Sequence, residues 1–216
     1  MAKHSLSKYE LFSTITHLVG LCLTVSMTWV IIWLGYAKNW EMAFGATFFT
    51  IGMILMYLAS TLYHFWTPNT RGKRVLQLLD HISIYVLIAC SYTPVCMALV
   101  EENQYVSGWV SFGCIWFIAI LGIFYKIFFW RKFPRLSLIL YIILGWAVIF
   151  IAKPVSRFVS PLALSFILAE GLSYTGGIYF FAKDDKNIYY HGWWHIFVIL
   201  GTLFHWAAVF VLALNP

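Results

Sequence analysis

Seven apolar runs, each near the length a helix needs to cross a bilayer, fill this chain almost end to end. They cover roughly residues 11–34, 42–65, 76–100, 107–125, 136–152, 159–181 and 190–214, parted by polar or proline-bearing stretches. Helices are the natural choice for such runs, because a backbone in hydrocarbon must satisfy its own polar groups. With 62% of its 216 residues hydrophobic and only 10% charged, the chain has too few charges to cover the core of a soluble domain. The expected fold is therefore all-α: one polytopic membrane domain over residues 1–216 with seven transmembrane helices. The first run is too long for a signal-peptide core and lacks a small-residue cleavage site, so it reads as a retained span. The fifth run is the shortest. Pro94, in SYTP at 91–94, is expected to kink the third span. Cys22, Cys90, Cys96 and Cys114 all fall inside apolar runs and form no C-x-x-C, which suits small buried fillers.

Lys and Arg set the orientation. Of the 14 in the chain, all but Lys38, Lys153 and Arg157 fall at the N-terminus or in the connections on its side. The positive-inside rule then places the N-terminus in the cytoplasm and the C-terminus outside. An even number of spans would put this alternation out of phase. The net charge of +6 is thus mostly charge at the cytoplasmic face and gives no sign of nucleic-acid binding. KIFFWRKFPR, at 126–135, mixes bases with aromatics as a segment at an anionic headgroup surface does. The expected location is the cell membrane, the inner or plasma membrane of a bacterium, with membrane lipids as partners.

Ionisable side chains inside spans are costly and mark function by default. With this topology the second span ends near His64, the third begins just before Asp80, and the seventh begins with His191 and His195. Three histidines and an aspartate thus reach a similar depth from three helices. His191 and His195, in HGWWH at 191–195, stand on one helix face about 5–6 Å apart. Two such imidazoles reach one ion at about 2.0–2.1 Å each, and three neutral imidazoles suit zinc with a fourth position left open. Asp80 reads in three ways: as a direct ligand, as a base hydrogen-bonded to zinc-bound water, or as a salt-bridge partner of Lys73 or Arg74 at the membrane edge. The second is preferred. Ser60 lies one turn before His64 and is placed to hydrogen-bond water or a substrate carbonyl, or to ease helix packing. His205, ten residues past His195, is about 15 Å deeper and reads as an interhelical polar contact. Glu10 and His17, seven apart, share a face of the first span, where His17 is placed to line the cavity. His81 points away from Asp80, and Glu170 is the deepest carboxylate. Gly171, Gly176 and Gly177 suit close helix packing.

Together, Glu10 with Thr16 and His17, SxLYH at 60–64, LDH at 79–81, SYTP at 91–94, and HGWWH followed by His205 resemble the hemolysin III family. That family lies within the progestin and adipoQ receptor superfamily of seven-span proteins. The resemblance covers essentially the whole chain. It implies zinc on His64, His191 and His195, with Asp80 and Ser60 at the metal-bound water, and a cytoplasmic N-terminus. The chain has no large soluble N-terminal domain, so it is similar to the compact bacterial branch. Its KDDKN loop at 183–187 lacks the proline that relatives often carry, a departure expected to change loop shape and leave the site untouched.

The leading expectation is a membrane-embedded zinc hydrolase that attacks a lipid amide or ester, since a site within hydrocarbon favours a lipid substrate. The superfamily resembles alkaline ceramidases in this metal arrangement, which implies amidase chemistry. The alternatives are a non-enzymatic regulator or sensor of membrane homeostasis with structural zinc, and a pore-forming, cytolytic protein as the family name implies. No polar stripe along the spans favours the pore. Bis-histidine haem is a further alternative, and it leaves Asp80 unexplained.

Overall fold

The computed structural model describes residues 8–129, 132 and 134–214. Lys3, Trp130, Arg131 and Phe133, which entered the charge and headgroup readings, lie outside them, as do the last two residues. The described residues contain helices and no strand: α1 (Lys8–Lys38), α2 (Trp40–Phe65), α3 (Arg71–Glu101), α4 (Tyr105–Phe128), α5 (Pro134–Gly145), a 3₁₀ turn (Ala147–Ile151), α6 (Ala152–Phe158), α7 (Pro161–Phe181) and α8 (Tyr190–Leu214). Among them six segments are long and apolar enough to cross a membrane: α1 to α4, the broken run Leu136–Phe158, and α8. α7, with 21 residues, has the length of a seventh span but carries Glu170 in mid-helix. Exposed aromatic residues gather at both ends of the bundle, with Trp33, Tyr36, Trp40 and Trp109 at one and Tyr9, Trp66, Tyr189 and Trp193 at the other. This is how the aromatic belts of a membrane protein are arranged.

The helices reach beyond the apolar runs because capping residues lie outside them. Asn39 accepts a hydrogen bond from the Met42 amide at the start of α2, and Thr70 accepts one from Lys73 at the start of α3. Asn69 just before that cap takes a left-handed conformation (φ 60°), which asparagine tolerates. Lys153 and Arg157, read above as part of a connection, instead lie in α6, which prolongs the fifth span.

Packing follows the order α7–α8–α1–α2–α3–α4, with α5 set against α3 and α4. α3 is the central helix: 78% of its apolar window is buried, against 17% for the fifth span. Small residues let α2 approach it. A Cβ on Gly45 would sit 2.6 Å from Pro94 Cα, and one on Gly52 2.5 Å from Cys90 Cβ. α3 runs through Pro94 without a break.

The break falls in the fifth span instead, at Trp146, where no proline announces it. The Tyr92 hydroxyl stitches it, donating to the Gly145 carbonyl at 2.7 Å and accepting from the Val148 amide at 2.8 Å. Backbone groups freed inside a membrane need such substitutes. Cys90 and Cys96 are buried as expected. Cys22 and Cys114 lie on the outer surface of the bundle, so the reading of all four as buried fillers fails for these two. Both sit on helices, α1 and α4, that pack along only part of their circumference.

At the end of the bundle formed by the last turns of α1, α3 and α8, Lys38 pairs with Glu101 at 2.9 Å and donates to the Leu212 carbonyl at 2.8 Å. The opposite end holds the first turns of α1, α3 and α8 and the last turn of α2. There the histidines meet.

Candidate metal centre

Ser60 and His64 occupy the last turns of α2, one above the other, as the i, i+4 spacing dictates. His191 and His195 stand likewise in the first turns of α8. The two helices bring these imidazoles to one point. His64, His191 and His195 each offer a ligand atom within 4.8 Å of the others. Ring centroids are 5.0 Å apart for His64–His191 and for His64–His195, and 4.7 Å for His191–His195. Two nitrogens each about 2 Å from one tetrahedral ion stand about 3.3 Å apart, so ligand atoms within 4.8 Å of one another need close in by about 1.5 Å at most to share zinc.

Each ring is held from behind through Nδ1. His64 Nδ1 donates to Glu10 Oε2 at 2.6 Å. The other Glu10 oxygen receives Lys73 Nζ at 2.9 Å, and Lys73 also donates to the Tyr63 carbonyl. His191 Nδ1 lies 3.2 Å from Asp184 Oδ2. His195 Nδ1 donates to the Ser13 carbonyl at 3.2 Å and lies 3.1 Å from Thr16 Oγ1. With its proton on Nδ1, a neutral imidazole keeps the Nε2 lone pair for a metal, and carboxylate or carbonyl acceptors behind metal-binding histidines serve this purpose. His64 Nε2 is buried and has no hydrogen-bond partner. Three neutral nitrogen donors, one of them an orphan aimed at its fellows, form a donor set that fits zinc.

Asp80 is nearly buried and lines the same cavity as the histidines, but it stands outside the three-ligand group. The edge salt bridge to Lys73 or Arg74 does not form among the described residues, because Lys73 is engaged by Glu10. Ser60 Oγ is buried beside the site without a hydrogen-bond partner. His17 lines the cavity as expected, stacked on His195 at 3.5 Å and edge-on to Tyr57, with neither ring nitrogen partnered. His81 lines the cavity alongside Asp80. His205 is far from the ligand group and pairs with Glu170, as the interhelical reading expected.

Two expectations need correction. The KDDKN loop does touch the site, since its Asp184 reaches His191. Glu10, which carries part of the family resemblance and shares a face with His17 but has no role in the sequence reading, is the carboxylate behind His64. Ser13 and Thr16 belong to the same supporting set. Besides the part of it that the family resemblance carries, the signal in the sequence was the cluster of polar residues Glu10, Ser13, Thr16 and His17 at the start of an otherwise apolar helix.

The histidines stand at one end of a cavity of about 270 Å³ lined by α1, α2, α3, α5, α7 and α8. Its walls are mostly aliphatic and aromatic.

An all-helical, multi-pass membrane protein that gathers three supported imidazoles at the end of an apolar cavity belongs to the class of proteins with a candidate metal centre inside the membrane. The sequence pattern of one family, described as "Haemolysin-III related", matches residues 6–206, and this chain belongs to that family. It is similar to "Hemolysin-3 homolog" of Bacillus subtilis (strain 168), 34% identical over 197 residues that make up 90% of each chain. "Hemolysin-3" of Bacillus cereus is 35% identical over 198 residues, 90% of this chain and 87% of that one. "Monocyte to macrophage differentiation factor" of Homo sapiens is 26% identical over 168 residues, 76% of this chain and 68% of that one, a more distant relative in the progestin and adipoQ receptor superfamily.

Proposed function

We propose that this protein is a zinc-dependent hydrolase of the membrane interior that cleaves an amide or ester bond of a membrane lipid and so adjusts lipid composition. The observation that carries this reading is the convergence of His64, His191 and His195 at the end of an apolar cavity that Asp80 also lines. A metal centre that only tied helices together would need no cavity and no further carboxylate lining it.

His64, His191 and His195 would hold the zinc, with Glu10, Asp184 and the Ser13 carbonyl fixing the three rings. When bound, zinc supplies a Lewis acid and lowers the pKa of water toward neutrality. Asp80 takes a proton from the attacking water and delivers it to the departing amine or alcohol, so the products are a carboxylic acid and a free amine or alcohol. Ser60 donates its hydroxyl hydrogen to the carbonyl oxygen under attack, where negative charge develops. The apolar cavity takes up the acyl chain and keeps bulk water from the reacting bond. The bases Lys73, Arg74, Lys126, Lys183 and Lys186 cluster at the histidine end, which supports placing that end at the cytoplasmic face of a bacterial plasma membrane.

The test is turnover of lipid amides and esters by the purified protein, followed by mass spectrometry. Wild type should release fatty acid, and Asp80→Ala should keep zinc and lose turnover. Equal turnover by Asp80→Ala, or none by zinc-loaded wild type across ceramide, N-acyl and glycerol-ester substrates, would overturn the proposal.

A further inference from the structure

The three rings of the metal centre are not equally reachable from water. The His64 side chain is 6% exposed and His195 is buried, whereas the His191 side chain is 24% exposed. The packing around them explains the difference. On the α1–α2 side His64 meets Glu10, which is held in turn by Lys73, so an ion pair of two largely buried side chains backs this ring. On the α1–α8 side the helices touch. A Cβ on Gly192 would sit 2.2 Å from Phe12 Cδ1, and the Phe12 ring meets Tyr189 edge-on. His195 lies against Ser13 and is stacked on His17. The cavity side is walled mostly by aliphatic and aromatic residues, where a cation that sheds its water meets a steep penalty.

The remaining approach is past the loop between α7 and α8. There Asp184 stands in water, 43% exposed, with one carboxylate oxygen 3.2 Å from His191 Nδ1. Neither lysine of the loop neutralises it. Lys183 Nζ lies over the Tyr179 ring at 3.9 Å, and neither Lys183 nor Lys186 forms an ion pair with Asp184 among the described residues. Asp184 is therefore an accessible carboxylate one contact away from the one ring of the three that water reaches. The contrast with Glu10 is informative. A carboxylate whose whole task was to fix a ring would serve better buried, as Glu10 does behind His64, because water and salt weaken an exposed contact. The exposure of Asp184 suits a group that meets something arriving from solution.

We propose that Asp184 is the landing site through which the metal centre is loaded. A divalent cation arriving from the water at this end binds first to the Asp184 carboxylate, passes to His191, and then reaches His195 and His64. It leaves by the reverse path. Carboxylate oxygen and imidazole nitrogen are both ordinary zinc ligands, so each transfer exchanges one protein ligand for one water. The inference rests on the three histidines holding zinc and is independent of the lipid chemistry. It separates two tasks that a carboxylate near a metal can have. Support behind a ring slows release of the ion. A charge at the rim speeds encounter, and its removal shows in the rate of uptake and in the response to salt.

The test is stopped-flow kinetics on the full-length protein in detergent. Zinc uptake by the metal-free protein is followed beside zinc release to a chelating dye, at dye concentrations where the release rate no longer depends on the dye. Asp184→Asn should take up zinc about tenfold more slowly than wild type. It should also release zinc about two- to three-fold more slowly, because a landing site eases passage in both directions. Added salt should slow uptake by wild type more than by Asp184→Asn. Asp184→Glu, which keeps the carboxylate, should take up zinc at close to the wild-type rate. Glu10→Gln should show the opposite pattern, with uptake unchanged and release faster. Unchanged uptake by Asp184→Asn overturns this inference alone, and faster release beside it would make Asp184 a support for His191 and nothing more. Equal slowing of uptake by Glu10→Gln overturns it too, since uptake would then follow the ligand geometry and not the route. Wild type that takes up no zinc overturns both this inference and the metal centre beneath it.

Discussion

Both ends of the cavity bring histidine against a carboxylate, yet only one of them gathers imidazoles around a point. At the α2–α8 end, Glu10 and Asp184 stand behind their rings and take up Nδ1, and three imidazoles each offer a ligand atom within 4.8 Å of the others. At the α7–α8 end, Glu170 takes up Nδ1 of a single ring, and the other nitrogen faces no second imidazole. The residue types are the same at both ends, and the difference is convergence. Three rings on two helix ends, two of them one turn apart, make a ligand set. One ring and one carboxylate make a hydrogen-bonded pair. A histidine–carboxylate contact inside a membrane is therefore no evidence for metal until further donors are counted.

Four substitutions sharpen that contrast. Asp80→Ala removes the proposed base and none of the ligands. Lipid turnover should fall about 10²- to 10⁴-fold, with zinc content by elemental analysis unchanged. Glu170→Ala breaks that pair and strands His205. It should cost about 1–3 kcal/mol of unfolding free energy in mixed micelles while leaving zinc content intact, because His205 is no ligand. Glu10→Gln weakens the support behind His64. Zinc affinity, read by competition with a chelating dye, should fall about 10- to 100-fold. Asp184→Asn should have the smallest effect, a few-fold in zinc affinity, since Asp184 is 43% exposed and its attraction for His191 is screened by water and salt. If Glu170→Ala lost zinc while Glu10→Gln kept it at full affinity, the assignment of the two ends would be reversed.

Much of this arrangement is legible in the chain itself. The apolar runs locate the spans, and the topology they imply brings His64, Asp80, His191 and His195 to one depth. The His191–His195 spacing needs only helix geometry. What escaped depends on contacts between distant segments. Glu10 lies 54 residues from His64 and shows no local motif with it. Asp184 sits in a loop whose course is set by how α7 and α8 pack, so its reach to His191 follows from no spacing rule. The break at Trp146 is hidden because LGWAVIF reads as continuous apolar sequence, while the residue that makes the break tolerable, Tyr92, belongs to α3. Pro94 does not end its helix: it packs against Gly45, and α3 continues past it.

The central claim is that His64 and the two α8 histidines share one divalent ion. Elemental analysis of the purified protein beside His195→Ala tests it most directly, with His205→Phe as the control at the other end of the cavity. Wild type and His205→Phe should each carry about one zinc per chain after dialysis, and His195→Ala should carry none. Wild type without metal, or His195→Ala with a full complement, would contradict it.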